Sequence, residues 1–177
     1  NVQYSMEYHC KYFEVLASKL GDYTEKCTVS FMDMYRNTER NVRTLSIVKD
    51  TYEMQVELLQ RFVEIAKEHG LYIDTCAEVG DFHNIGVEHA HCIDRERIER
   101  IGGFKLNVDK DTNQRAECGC VASIDIGAYN TCKNGCVYCY ANYSAKSVES
   151  NFQKYDPLSP LLCGHIEKDD KISTRKV

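Results

Sequence analysis

Five cysteines, Cys118, Cys120, Cys132, Cys136 and Cys139, fall within one 22-residue stretch of this 177-residue chain. The last three are spaced C-x3-C-x2-C in the segment TCKNGCVYCYAN. Thiolates are soft ligands suited to zinc or to iron–sulfur clusters, and this spacing lets three of them reach one centre from a single loop. Gly135 permits the tight turn before Cys136. Tyr138, Tyr140 and Tyr143 supply aromatic faces that can stack on a planar group or shield a centre from water.

Structural zinc sites usually pair two short C-x2–4-C knuckles across a longer spacer. Cys118-Gly119-Cys120 is tighter than such a knuckle, and the second group holds three cysteines. That pattern suits a [4Fe–4S] cluster with one iron left open, or a cluster closed by a fourth cysteine. Cys118 or Cys120 could supply the fourth thiolate. With Cys92 or Cys163 they could instead ligate a second metal, and zinc stands as the alternative ion.

Composition narrows the classes further. The chain holds ten cysteines in all, and their clustering in an otherwise ordinary globular composition favours metal binding over disulfides. A reducing, cytoplasmic location follows as an expectation. With 22 basic and 27 acidic residues the formal charge is −5, which argues against a bulk electrostatic grip on nucleic acid. No apolar run reaches the length of a membrane span, so no membrane partner is expected.

The elements that must position these residues alternate. Residues 5–20 read as an amphipathic helix, with Ser5 as its cap, Gly21 as its stop and a Tyr12, Phe13 and Leu16 stripe assigned to the core. Residues 27–35 read as a strand rich in residues that suit a buried sheet. Residues 36–50 read as a loop with a short helix. Residues 52–69 give the clearest helix, with Leu58, Leu59, Phe62, Ile65 and Ala66 on one stripe and Gly70 at the end. Residues 71–78 read as a second strand.

Helix, strand, helix, strand is the alternation of an α/β fold with parallel strands. With only two convincing strands, the expectation is the C-terminal portion of a TIM-barrel-like (β/α) domain over residues 1–106. Residues 93–103 add a short helix capped by Asp94. Residues 107–117 read as a solvated linker. An irregular cysteine-rich metal-binding segment and tail then occupy 107–177, and the tail from 144 shows little core-forming pattern.

Active-site groups of such folds gather at the carboxyl ends of the strands. The first strand ends near Asp33 and Tyr35, and the second at Cys76 and Glu78. Asp33 and Glu78 are therefore candidate acid/base groups, and Cys76 a candidate ligand or hydrogen-atom donor. His89, His91 and Cys92 form a further group of donor types, weak as a metal signal without matching partners.

The C-x3-C-x2-C motif with an aromatic before its last cysteine is similar to that of the radical S-adenosylmethionine enzymes. Cys132, Cys136 and Cys139 match its three ligands, and Tyr138 its aromatic position. The resemblance implies a [4Fe–4S] cluster on those cysteines, S-adenosylmethionine on the open iron and its reductive cleavage, with Tyr138 beside the adenine. Together with DTCAE (74–78), CID (92–94), NQRAECGC (113–120) and SPLLCGHI (159–166), the chain resembles an uncharacterised bacterial family. That family is a domain of unknown function whose C-terminal cysteines are similar to the radical enzymes' cluster motif. Its members are longer, and this chain resembles their C-terminal part.

The function expected is an iron–sulfur protein of radical type acting on an unknown small-molecule or macromolecular substrate, with an electron donor as partner. The alternative is a non-catalytic metalloprotein, with a structural or electron-transfer four-cysteine [4Fe–4S] or zinc centre.

Overall fold

A computed structural model describes residues 4–174. Among them the chain is mixed α/β, with five α-helices and one small parallel sheet. It divides into two compact units. The larger contains residues 1–32 and 45–124, and the smaller contains 33–44 and 125–177.

In the larger unit, α1 runs Met6–Leu20. The Ser5 hydroxyl accepts from the Tyr8 N–H, which satisfies one of the donors a helix start leaves unpaired. The core face differs from the stripe expected. Phe13 and Ala17 are buried, while Tyr12 and Leu16 are 47% and 55% exposed. Phe13 and Ala17 lie one turn apart, so the face they share is the one buried, one position round from Tyr12 and Leu16.

The partner is α3 (Tyr52–Glu68), capped by the Thr51 hydroxyl and buried at Leu59, Phe62 and Ala66. Phe13 stacks on Phe62 with ring centroids 4.4 Å apart. Leu71, Ile73, Phe82 and Val87 complete this core. Gly70 ends the helix region in a left-handed conformation, φ +69°, that favours glycine.

Three strands form the sheet, β1 (Lys26–Val29), β2 (Tyr72–Thr75) and β3 (Glu88–His89), in the order β1-β2-β3. Both pairings are parallel, with Lys26 opposite Tyr72 and Asp74 opposite Glu88. The two strands expected are present but shorter than their apolar runs. The third is only two polar residues long, so no periodicity announces it. Lys26 and Asp74 form a buried ion pair. After a 3₁₀ turn at His83–Ile85 and β3, α4 runs Arg95–Gly102, capped by the Asp94 carboxylate.

Residues 107–117 do more than link. Lys110 bridges Val121 in antiparallel fashion, and Asp111, itself buried, donates its N–H to the Cys120 carbonyl.

The smaller unit holds α2 (Arg36–Val42), the cysteine loop and α5 (Ala145–Gln153). α5 lies in the tail, where no helix was expected. Ser144 caps it and Val148 is its buried residue. No described helix is long and apolar enough to cross a membrane.

Candidate functional site

All ten cysteines are free thiols. Eight of them fall into two groups that differ in burial and in neighbours, while Cys10 and Cys27 pack against the helix–sheet core.

The C-x3-C-x2-C loop belongs to the smaller unit, where Cys132 and Cys136 are exposed and Cys139 is half-buried. Its ends are tied by an asparagine. Asn130 is 4% exposed and takes φ +58°, a left-handed conformation that asparagine tolerates better than most residues. Its Oδ1 accepts from the N–H groups of Tyr143 at 3.0 Å and Ser144 at 3.1 Å. Its backbone N–H donates to the Ala141 carbonyl, and its carbonyl accepts from Asn151 Nδ2 on α5. Asn142 donates from Nδ2 to the Cys132 carbonyl.

Within the closed loop, backbone N–H groups already meet sulfur. Asn134 N–H donates to Cys132 Sγ at 3.5 Å and Asn142 N–H to Cys139 Sγ at 3.3 Å. Gly135 turns the chain at φ +66°, and the Cys139 N–H returns to the Cys136 carbonyl. Tyr138 is exposed, and its carbonyl accepts from the Thr38 hydroxyl. Tyr140 lies 5.5 Å from Tyr35 between ring centroids. A cavity of about 150 Å³ is lined by Thr131, Asn151, Phe152, Tyr155 and Leu162, so the residues flanking Cys132 and Cys163 share one pocket.

Cys118 and Cys120 belong to the larger unit, where both are buried. They pack with Ala77 and Cys76. Cys76 follows the end of β2, and its Sγ lies 3.4 Å from Cys92 Sγ, just past β3. Cys120 Sγ accepts from the Ile93 N–H at 3.3 Å. Desolvation first, then the Cys76 hydrogen bond and repulsion from Cys76 and Cys120, push the Cys92 thiol up to about 12. Burial, offset in part by the Cys120 N–H, raises the Cys118 thiol as well. A Cβ at Gly119 would lie 2.1 Å from the exposed His91 ring, which would have to swing aside.

Glu78 stands near the same carboxyl edge of the sheet, and its Oε1 accepts from the Phe31 N–H at 2.9 Å. Asp33 is exposed, lies beyond the end of β1 and falls in the smaller unit. His89 and His91 are exposed. Among the described residues no group of three or more His, Cys, Asp or Glu side chains, as placed, could hold a metal ion. A wide depression of about 710 Å³ along α4, lined by Arg95, Glu99, Arg100 and Lys105, contains none of the thiols.

Sequence reasoning missed Asn130 and Asn142 as the residues that shape the loop. The signal was slight: two asparagines flanking the cysteines, one of a type that accepts left-handed backbone.

No curated protein and no solved structure matches this chain. A protein family does. The match covers residues 1–141, which includes both groups of thiols but not SPLLCGHI at 159–166. On that match the chain belongs to the family described as Domain of unknown function (DUF1848).

Proposed function

We propose that this chain is an iron–sulfur protein of radical S-adenosylmethionine type, with Cys132, Cys136 and Cys139 as ligands of a [4Fe–4S] cluster. One observation carries the reading: three thiols sit on a single loop, closed by Asn130 and Asn142, with backbone N–H donors on two of the three sulfurs. The donor set fits such a group, since three thiolates leave one iron open.

When bound, the cluster supplies one-electron chemistry, and with S-adenosylmethionine on its open iron the reductive cleavage of that molecule. The chain's own residues do the rest. The Asn134 and Asn142 N–H groups donate to the Cys132 and Cys139 sulfurs, as outer hydrogen bonds do to metal-bound thiolates. The exposed Tyr138 ring offers a stacking face for an adenine. Glu78 and Asp33 are the acid/base candidates for a substrate of unknown identity, with Cys76 as ligand or hydrogen-atom donor. This reading takes the parallel sheet as part of a barrel-like (β/α) domain, the location as cytoplasmic and the partner as an electron donor.

A second reading is a closed, non-catalytic centre with Cys163 as fourth ligand. The cavity shared by Thr131 and Leu162 favours it, because Cys163 is the only other cysteine of the smaller unit.

The deciding experiment is anaerobic. Iron, sulfide and zinc are quantified in wild type and in Cys132→Ala/Cys136→Ala/Cys139→Ala. Matched iron and sulfide that vanish in the triple variant support the cluster, and zinc without sulfide sinks it. An electron paramagnetic resonance signal of the reduced protein that shifts on adding S-adenosylmethionine supports the open iron. A signal indifferent to it, and restored to sensitivity by Cys163→Ser, supports the closed centre.

A further inference from the structure

We infer that Cys76, Cys92, Cys118 and Cys120 form a four-thiolate site for one thiophilic divalent cation, zinc in the first instance, within the larger unit. The inference does not depend on the cluster proposed for the smaller unit, and of the two roles offered for Cys76 it takes that of ligand.

Three separate segments bring these thiols together. Cys76 directly follows β2 and Cys92 closely follows β3, so two adjacent parallel strands deliver them to the same edge of the sheet. The Ala90 N–H donates to the Thr75 carbonyl, which holds those two exits side by side. Cys118 and Cys120 arrive on a return segment. The Val121 N–H donates to the Ile93 carbonyl and the Asp111 N–H to the Cys120 carbonyl, which ties that segment to the residue after Cys92.

The contacts link all four. Cys76 meets Cys92 at 3.4 Å, the N–H of Ile93, next to Cys92, donates to Cys120 Sγ, and Cys118 and Cys120 share a buried cluster against which Cys76 packs. Cys76, Cys118 and Cys120 therefore pack among thiols, with Ala77 the one non-cysteine of their cluster, and Cys92 stands exposed beside them. Soft thiolates gathered in this way suit a thiophilic cation.

The spacing selects the kind of metal. Zinc–sulfur bonds of about 2.3 Å in a tetrahedron place sulfurs about 3.8 Å apart. The Cys76–Cys92 separation of 3.4 Å is near that edge. A cubane cluster puts each thiolate on its own iron, with the body of the cluster between sulfurs, and so asks for wider spacing. The Ile93 N–H on Cys120 Sγ is a donor of the kind that supports a ligating thiolate. Ala77, at φ +52°, is a non-glycine residue in a left-handed conformation directly after Cys76. Such strain persists where the surroundings impose it, and here it turns the chain so that Glu78 reaches the Phe31 N–H.

Binding is a proton exchange. Each of four Cys S–H groups releases its proton to solvent, and four S–Zn bonds form: Zn²⁺ with four thiols gives a Zn(thiolate)₄ centre of charge −2 and four protons. Side-chain rotation closes the set around the ion. All four positions are protein ligands, so the site is closed to substrate and acts as a clasp between the sheet edge and residues 118–121.

The test separates this site from the other loop by using full-length protein carrying Cys132→Ser/Cys136→Ser/Cys139→Ser, reduced and metal-free. Cobalt(II) is titrated as probe and zinc then added. The expected result is one cobalt per chain, with intense thiolate-to-cobalt charge-transfer and tetrahedral ligand-field bands, displaced by one zinc. Adding Cys76→Ser/Cys92→Ser lowers affinity by roughly 100-fold or more. Absence of those bands, or unchanged affinity in the added variant, overturns the proposal. Should these variants fail to fold, wild-type protein answers by alkylation. Zinc protecting Cys76, Cys92, Cys118 and Cys120 until a chelator is added upholds the site, and zinc leaving all four open to alkylation overturns it. Loss of iron and sulfide in the triple variant is read independently, so the cluster and this site can fail separately.

Discussion

Cys76 Sγ and Cys92 Sγ lie 3.4 Å apart past the carboxyl ends of two neighbouring parallel strands, joined by an S–H···S hydrogen bond and not by a disulfide. A disulfide needs its sulfurs at about 2.05 Å, a modest approach from this starting point. Metal-free protein treated with diamide should therefore form a Cys76–Cys92 crosslink in most chains. Saturating zinc should suppress it at least roughly tenfold, because a ligated thiolate is a poor partner in exchange. Peptide mapping by mass spectrometry checks both arms.

Metal removal should also show in stability. A cation that binds the folded chain alone stabilises it by about 2.7 kcal/mol at 100 times its Kd. Urea unfolding of the larger unit with and without zinc should differ by that order. Equal midpoints would count against the clasp.

Asn130 should govern the order of the cysteine loop. Asn130→Ala orphans the Tyr143 and Ser144 N–H groups and leaves alanine at φ +58°. The expected cost is about 2–4 kcal/mol locally, from the unmet donors and the strained backbone. Asn130→Gly removes the strain alone and should recover about 1 kcal/mol of it. Limited proteolysis across residues 125–153, together with iron occupancy after anaerobic reconstitution, reads the difference.

The Lys26–Asp74 pair is deeply placed, with side chains 12% and 7% exposed, and Asp74 Oδ1 has no hydrogen-bond partner among the described residues. Lys26→Met strands a buried carboxylate and should cost about 3–5 kcal/mol. Lys26→Met/Asp74→Leu should recover most of that loss, since the pair's attraction and its desolvation nearly cancel. Chemical denaturation of the two variants checks the order.

Cys27 predicts a pH dependence. Burial first, then the Asp74 carboxylate, raises its thiol above the ordinary 9.0. The folded chain therefore keeps this proton after the unfolded chain has released it. The contribution is fully present below pH 9 and is lost as pH rises from 9 through the folded value. Cys27→Ala should flatten the alkaline fall in stability relative to wild type. Parallel curves for the two proteins between pH 8 and 10.5 would contradict it.

Much of the frame was legible in the chain alone, and for local reasons. Ser5 and Asp94 mark helix starts because each side chain caps an N–H group within its own first turn. α3 announces itself by a stripe that recurs every three or four residues. The three thiols of TCKNGCVYCYAN share one loop whatever the rest of the fold does, because C-x3-C-x2-C is too short to separate them. β3 and α5 were hidden: two polar residues have no period, and α5 shows only Ser144, Val148 and Phe152.

Tertiary structure alone decided the companions of Cys118 and Cys120. In the sequence they stand beside Cys132, Cys136 and Cys139. In the fold they meet Cys76 and Cys92, because parallel pairing of β2 with β3 and the return of residues 110–121 bring distant segments to one edge. Strand pairing of that kind is set by burial and hydrogen bonding across long loops, and no spacing rule along the chain encodes it. The same holds for Asn130, whose importance comes from two N–H groups that only the closed loop brings to its side chain.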